Sequence, residues 1–238
     1  TSSVSVNTTA GFSIVSYTGT GSNATVGHGL SSAPKVIIWK NRSQSNGWIT
    51  FHDGVARFMT NPDPETDYLE LHATTARVDL NTIMNDTAPT SSVFTVGTEA
   101  AVNNSGNNFI AYCFTDIQGY SKYSAYRGNG DTDGTFIYLG FEPKFFIVKP
   151  ANGTTGGWTI YDNAREPFND GSYPVLTANS SNAEATELSS AIDFHSTGVK
   201  IRGGSGSSDN NASGADYVYF AIAEKPFVTS SAVPSTAK

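Results

Sequence analysis

The sequence predicts an all-β protein of two tandem sandwich-like repeats, jelly-roll or related, packed together, and three observations carry that prediction. The chain matches itself at one nearly constant offset. Its apolar runs are short and rich in Val, Ile, Phe, Tyr and Thr, and Gly, Pro, Asn and Ser punctuate the gaps between them.

The offset is 108 to 110 residues. Gly11-Phe12-Ser13 with Tyr17-Thr18-Gly19-Thr20-Gly21 returns as Gly119-Tyr120-Ser121 with Tyr126-Arg127-Gly128-Asn129-Gly130. Ala33-Pro34-Lys35 and the run to Lys40 return as Glu142-Pro143-Lys144 and the run to Lys149. Gly47-Trp48 returns as Gly157-Trp158, and Phe109–Phe114 as Tyr217–Ile222. Four blocks in one order set repeat 1 at residues 11–116 and repeat 2 at 117–227, between an N-terminal segment 1–10 and a C-terminal tail 228–238.

The elements follow. Lys35–Lys40 and Phe109–Phe114 are continuously apolar, which predicts central strands covered on both faces. Pro34 and Pro143 stand ahead of such runs, where a missing N–H disturbs no ladder. No stretch shows a convincing 3.6-residue period, and the best helical candidate, Ala183–Leu188, is one or two turns at most. The short connection Asp116-Ile117-Gln118 predicts repeats packed on each other.

Composition excludes several function classes. A net charge of −7 leaves no basic stripe for nucleic acid and disfavours anionic membranes. No run reaches the roughly 18 apolar residues of a spanning helix, so the chain reads as soluble. Thr1-Ser2-Ser3-Val4 lacks the charged and apolar regions of a secretory signal. Cys113, the single cysteine, allows no intrachain disulfide and reads as a buried small hydrophobe.

Thr25-Val26-Gly27-His28-Gly29-Leu30 with Ala33-Pro34-Lys35, Pro89–Phe94, Tyr112-Cys113-Phe114 and Ala223–Phe227 resemble an uncharacterised tandem-repeat β domain of tail-fibre-like and other virion structural proteins in marine and cyanobacterial tailed bacteriophages. The likeness runs from about Phe12 to Phe227 and rests on strand and turn punctuation. It implies a virion surface protein, made in the host cytoplasm, with other virion proteins as partners, and it brings no catalytic residues.

Candidate chemistry is sparse. Asn129-Gly130-Asp131-Thr132-Asp133-Gly134 opens like a calcium loop, but the twelfth position is Gly140, not a bidentate Glu. A hairpin turn using Asn, Asp and Gly explains the same residues, so no metal and no cofactor are expected. His28, His52, His72 and His195 lack ligand spacing. Asp162 with Glu166, and Glu65 with Asp67, are the carboxylate pairs a glycosidase would need, and all lie in loops. Eight Asn-x-Ser/Thr triplets, Asn103 and Asn211 among them, read as loop composition.

Trp48 and Trp158 occupy matched positions, either as plugs of the two cores or as an aromatic platform for sugars flanked by Asn46 and Asn152. The loops Gly19–Asn23 and Gly128–Gly134 add Asn23, Asn129, Asp131 and Asp133 as glycan or partner contacts. The function expected is a non-enzymatic phage surface protein, of tail-fibre or appendage type, that contacts host-surface polysaccharide and occurs as a homo-oligomer or in many copies on the particle. A capsid decoration protein, a carbohydrate-binding module of a secreted bacterial protein and a glycan-cleaving enzyme are the alternatives.

Overall fold

Every second residue of Phe12–Thr18 and of Asn108–Phe114 is buried, and this period of two fixes their pairing, with Tyr17 opposite Phe109 and Phe12 opposite Phe114. The computed structural model describes residues 2–165, 169, 173–186, 190–204 and 207–224. The chain divides into two units, Thr1–Asp116 and Ile117–Lys238.

Unit 1 contains β1 (Ser2–Asn7), β2 (Phe12–Thr18), β3 (Ala24–Gly27), β4 (Val36–Asn41), β5 (Trp48–His52), β6 (Asp67–Glu70), β7 (Val78–Asp79), β8 (Val93–Val96), a short helix α1 (Ala100–Asn103) and β9 (Asn108–Phe114). Its large sheet runs β1-β2-β9-β4-β5-β6-β7, and β3 pairs with β8 in a smaller one. Unit 2 contains β10 (Ser121–Arg127), β11 (Phe136–Tyr138), β12 (Pro143–Asn152), β13 (Thr159–Asp162), β14 (Pro174–Thr177), β15 (Ala185–Thr186), β16 (Ile192–His195), β17 (Gly198–Ile201) and β18 (Asp216–Ala223). Its large sheet runs β10-β18-β12-β13-β14-β15, and the smaller one β11-β17-β16.

The pairing order β2-β9-β4-β5-β6-β7 is thus also the order β10-β18-β12-β13-β14-β15, and register follows order. Ile37 faces Phe51 across β4 and β5, as Phe146 faces Tyr161 across β12 and β13. In the large sheets only β1 lacks a counterpart among the described residues.

Each unit is a sandwich with its core between the sheets. In unit 1, Val15, Ile37, Trp39, Phe51 and Phe109 of the large sheet meet Val26, Phe94 and Val96 of the small one. Trp39, fully buried, sets its face against the edge of Phe94 or the reverse, at 5.8 Å and 73°. Unit 2 packs Tyr126, Phe146, Val148, Tyr161, Tyr217 and Tyr219 against Ile137, Ile192, Val199 and Ile201. Removing one such ring from water contributes roughly 2–3 kcal/mol.

Three expectations are corrected. Residues 1–10 are no separate segment, because β1 pairs with β2 along its whole length. β9 alternates buried and half-buried, and β4 nearly so, so these strands are fully covered on the core side alone. Their outward apolar side chains shield one another laterally, as Phe12 does Phe114 at 4.9 Å. Ala185–Thr186 is strand, not helix, where its backbone pairs with Pro174 and Val175; residues 187 and 188 lie outside the described residues.

Candidate functional site

The two loops expected to make contacts are clamped from below by a matched asparagine. In unit 1 the Thr20 N–H donates to Asn103 Oδ1 (2.8 Å), and Asn103 Nδ2 donates to the carbonyls of Ser22 (2.7 Å) and Gly97 (2.6 Å). In unit 2 the Asn129 N–H donates to Asn211 Oδ1 (3.1 Å), and Asn211 Nδ2 donates to the carbonyls of Asp131 (2.8 Å) and Gly203. Both asparagines are buried. Beside them Tyr17 Oη donates to Val102 O and Tyr126 Oη to Asn210 O, each at 2.6 Å. Reading Asn103 and Asn211 as loop composition is therefore corrected: a buried amide satisfied on both sides fixes loop shape.

The remaining polar candidates have hydrogen-bond or ionic partners, some within their loops and some on other segments. Asn23, exposed, donates to Asn85 Oδ1 at 2.6 Å. Asn46 Oδ1 accepts from Asn41 at 2.9 Å, and its carbonyl accepts from Lys40 Nζ. Asn152 Nδ2 donates to Asp216 at 3.3 Å. Asn129 Oδ1 accepts the Asp131 N–H (3.0 Å) and Asp131 Oδ1 the Asp133 N–H (2.8 Å), a run of turns closed by side chains. The Asp133 carboxylate meets Lys200 Nζ at 2.7 Å, and this hydrogen bond and charge hold its pKa below the usual range. Among the described residues no three His, Cys, Asp or Glu side chains come together as a cation site.

Trp48 is half-buried and outside the core of unit 1, which corrects the core-plug reading for it, whereas Trp158 is fully buried. Both lie over the closing strand: Trp48, half-buried, stacks on Tyr112 at 6.4 Å with Lys40 Nζ 5.5 Å from its ring, and Trp158 stacks on Phe220 at 5.7 Å. Trp158 is fully buried and presents no face to a sugar, so the platform reading is corrected for it. In unit 1 the core tryptophan is Trp39.

The other candidates have structural partners. Asp67 is buried against Arg77; burial raises its pKa against the pull of Arg77. Asp162 accepts from Arg165 Nε at 2.5 Å, while Glu166 lies outside the described residues. His28 accepts the Leu30 N–H at Nδ1 (3.1 Å) with Nε2 3.1 Å from Thr90 O, and burial lowers its pKa. His52 accepts the Gly54 N–H and His72 the Trp48 N–H.

What sequence reasoning missed is the outward face of the small sheet in unit 2. Ile137 points into the core opposite Val199, so its neighbours Phe136 and Tyr138 point out, 43% and 63% exposed. Lys122 Nζ lies 5.7 Å from the Tyr138 ring and donates to its carbonyl at 2.7 Å. His195 of β16 meets Phe136 edge to face at 5.7 Å across Gly198 of β17, where a Cβ would come 3.1 Å from the Phe136 ring. Next to the rings runs a ladder of charge, Asp133 with Lys200 and Asp193 with Arg202 (2.5 Å).

Unit 1 has nothing equivalent. Val26 faces Phe94 as Ile137 faces Val199, so Phe136, Tyr138, Gly198 and Lys200 correspond to Thr25, Gly27, Val93 and Thr95. Extending the repeat alignment through Thr135–Leu139 would have exposed this contrast. Unit 1 offers instead an uncharged cleft of about 180 Å³ lined by Ser2, Thr18, Thr20, Thr25 and the edge of Tyr17.

Residues 1–226 match the family DUF7483, described as a domain of unknown function. No curated protein matches the chain. Among solved structures, the crystal structure of the STIV MCP matches at 8% identity over 87% of this chain and 84% of that one, with a TM-score of 0.19, too low to carry an argument about fold.

Proposed function

The chain belongs to the DUF7483 family, and we propose that it is a non-enzymatic bacteriophage virion surface protein, a tail-fibre or appendage type adhesion module whose second unit contacts host-surface glycan. The observation that carries this reading is the exposed pair Phe136 and Tyr138, set on a rigid strand beside a charge ladder. Sugar rings have apolar C–H faces that stack on aromatic rings and hydroxyls that hydrogen-bond to flanking polar groups, which is the combination on this sheet.

The contrast between units supports it. Both units keep the residues that build the sandwich, whereas only the small sheet of unit 2 carries Phe136 and Tyr138, where unit 1 has Thr25 and Gly27, so the fold does not require rings there. Exposed aromatic rings cost solubility, and a soluble surface keeps them where they meet a partner. Two of the carboxylates that cleavage would need, Asp67 and Asp162, are engaged by arginines. Such contacts are individually weak, and adhesion would come from many copies on one particle.

Glycan arrays and host-cell binding with a multimerised full chain test the reading. Wild type should bind without releasing oligosaccharide, and Phe136→Ala with Tyr138→Ala should abolish binding while leaving the melting temperature within a degree or two, as expected for exposed sites. Wild-type protein that binds neither cells nor glycans while labelling phage heads in regular array would replace adhesion by decoration. Absence from particles would refute the virion reading.

A further inference from the structure

Strand β1 stands outside the repeat. All six of its residues are exposed, and the large sheet of unit 2 has the same pairing order without a counterpart among the described residues. Val4 lies opposite Val15 and Val6 opposite Ser13, and both partners are buried on the core side. Val4 and Val6 therefore sit on the core face of the sheet, yet remain 40% and 44% exposed. They lean on Gly29, where a Cβ would lie 3.1 Å from Val4 Cγ1.

Edge strands of soluble proteins are guarded by lysine, proline, a bulge or an inward-pointing charge. Ser2-Ser3-Val4-Ser5-Val6-Asn7 contains no charge and no proline, and it pairs with β2 without a register shift. An unguarded edge with apolar side chains on its core face is what an added strand needs.

We propose that β1 is a self-association edge, pairing antiparallel with β1 of a second copy about a two-fold axis normal to the sheet. The strand's own chemistry selects the occupant. It is neutral, so two copies meet without like-charge repulsion, and a two-fold axis makes it antiparallel to its mate with each side chain returned to the same face. Residues directly opposite in a continuous sheet share a face, so even-numbered residues must oppose even-numbered ones. Centring on Ser5 sets Val4 opposite Val6 of the second copy and Val6 opposite its Val4, with Ser5 opposite Ser5. Four valines then cover one another on the core side, and the two large sheets run on as one.

Sedimentation of the full chain up to about 100 µM, above the Kd of a weak interface, tests this. Wild type should be a dimer, and the double variant V4K/V6K a monomer that still unfolds in one cooperative transition, matching wild type at dilutions where wild type too is monomeric. Replacing both valines by threonine, which keeps strand propensity, should weaken association about tenfold, as the four-valine contact is lost. With oxidised glutathione as oxidant, Ser5→Cys should form an interchain disulfide and Ser3→Cys should not, since opposite Cβ atoms lie about 5 Å apart. Buried Cys113 does not interfere. A wild-type monomer at that concentration overturns the proposal, as does a dimer that survives V4K/V6K or that cross-links through Ser3→Cys and not Ser5→Cys. Glycan binding by Phe136 and Tyr138 is read separately, so either proposal can fail without the other.

Discussion

Replacing Asn103 by alanine removes the clamp beneath the loop that follows β2, and the structure fixes how much that should cost. Four hydrogen bonds disappear: those from the Thr20 N–H and, at 3.5 Å, the Thr20 hydroxyl, and those to the carbonyls of Ser22 and Gly97. Each is worth about 1 kcal/mol net, and a backbone group left buried without a partner adds roughly 1–3 kcal/mol. With the long Thr20 hydroxyl contact left out, the sum is about 4–6 kcal/mol, which lowers the melting temperature by roughly 15–25 °C for a unit of this size. Asn103→Asp sharpens the test. It is isosteric and still accepts from Thr20, but its second oxygen faces two carbonyls where an N–H₂ stood. That carboxyl has a folded pKa raised above its unfolded value of about 3.9, so its penalty is full above the folded pKa and shrinks as pH falls through it. Calorimetry and urea unfolding of both variants between acid and neutral pH read the effect. A loss below about 1 kcal/mol for Asn103→Ala, or an Asn103→Asp protein as stable as wild type at neutral pH, would refute the reasoning.

Other expectations follow from the same geometry. Gly19→Ala and Gly128→Ala should each cost more than about 2 kcal/mol in unfolding free energy, because the new Cβ would lie 2.2 Å from Asn104 O and 2.4 Å from Ala212 O, backbone atoms that cannot swing aside. Gly106→Ala, at φ +76° with open space around it, should cost only about 1 kcal/mol. The Cys113 thiol, which burial pushes up to about 12, should resist thiol reagents at neutral pH in the native protein and react at once in urea. For Asp162, burial raises the pKa, but Arg165 and the N–H groups of Arg165 and Ala164 win and hold it below the usual value. Its contribution is thus present above the unfolded pKa and lost as pH falls through the folded one, and Arg165→Met should flatten that acid limb of stability.

The sandwich was legible because its information is local and repeated. Tyr17 and Tyr126, Lys40 and Lys149, Gly47 and Gly157 recur at one offset, and the register of each unit places them alike. The buried amides escaped because Asn103 and Asn211 sit in polar segments where neighbours do not betray burial, and their partners lie more than 80 residues away at Thr20 and Asn129. Trp48 misled for a related reason: a large ring after a glycine reads as core, but in β5 Trp48 lies on the opposite face from Ile49. Phe136 and Tyr138 were invisible as a site because an apolar run of three gives no sign of which face is covered; only the pairing of Ile137 with Val199 decides it.

The buried clamps of Asn103 and Asn211 hold their loops through amides, groups with no net charge, and this sets how those contacts should respond to ionic strength. The distance over which exposed charges feel one another shrinks from about 8 Å at physiological salt to about 3 Å at molar salt, so their attraction weakens as salt rises. The Lys35–Asp53 contact, open to solvent on both sides, would fade over that range. The bonds of Asn103 and Asn211 would not, since there is no charge to screen. These clamps keep their form from dilute buffer to brine, while the Asp133–Lys200 contact of the second loop weakens.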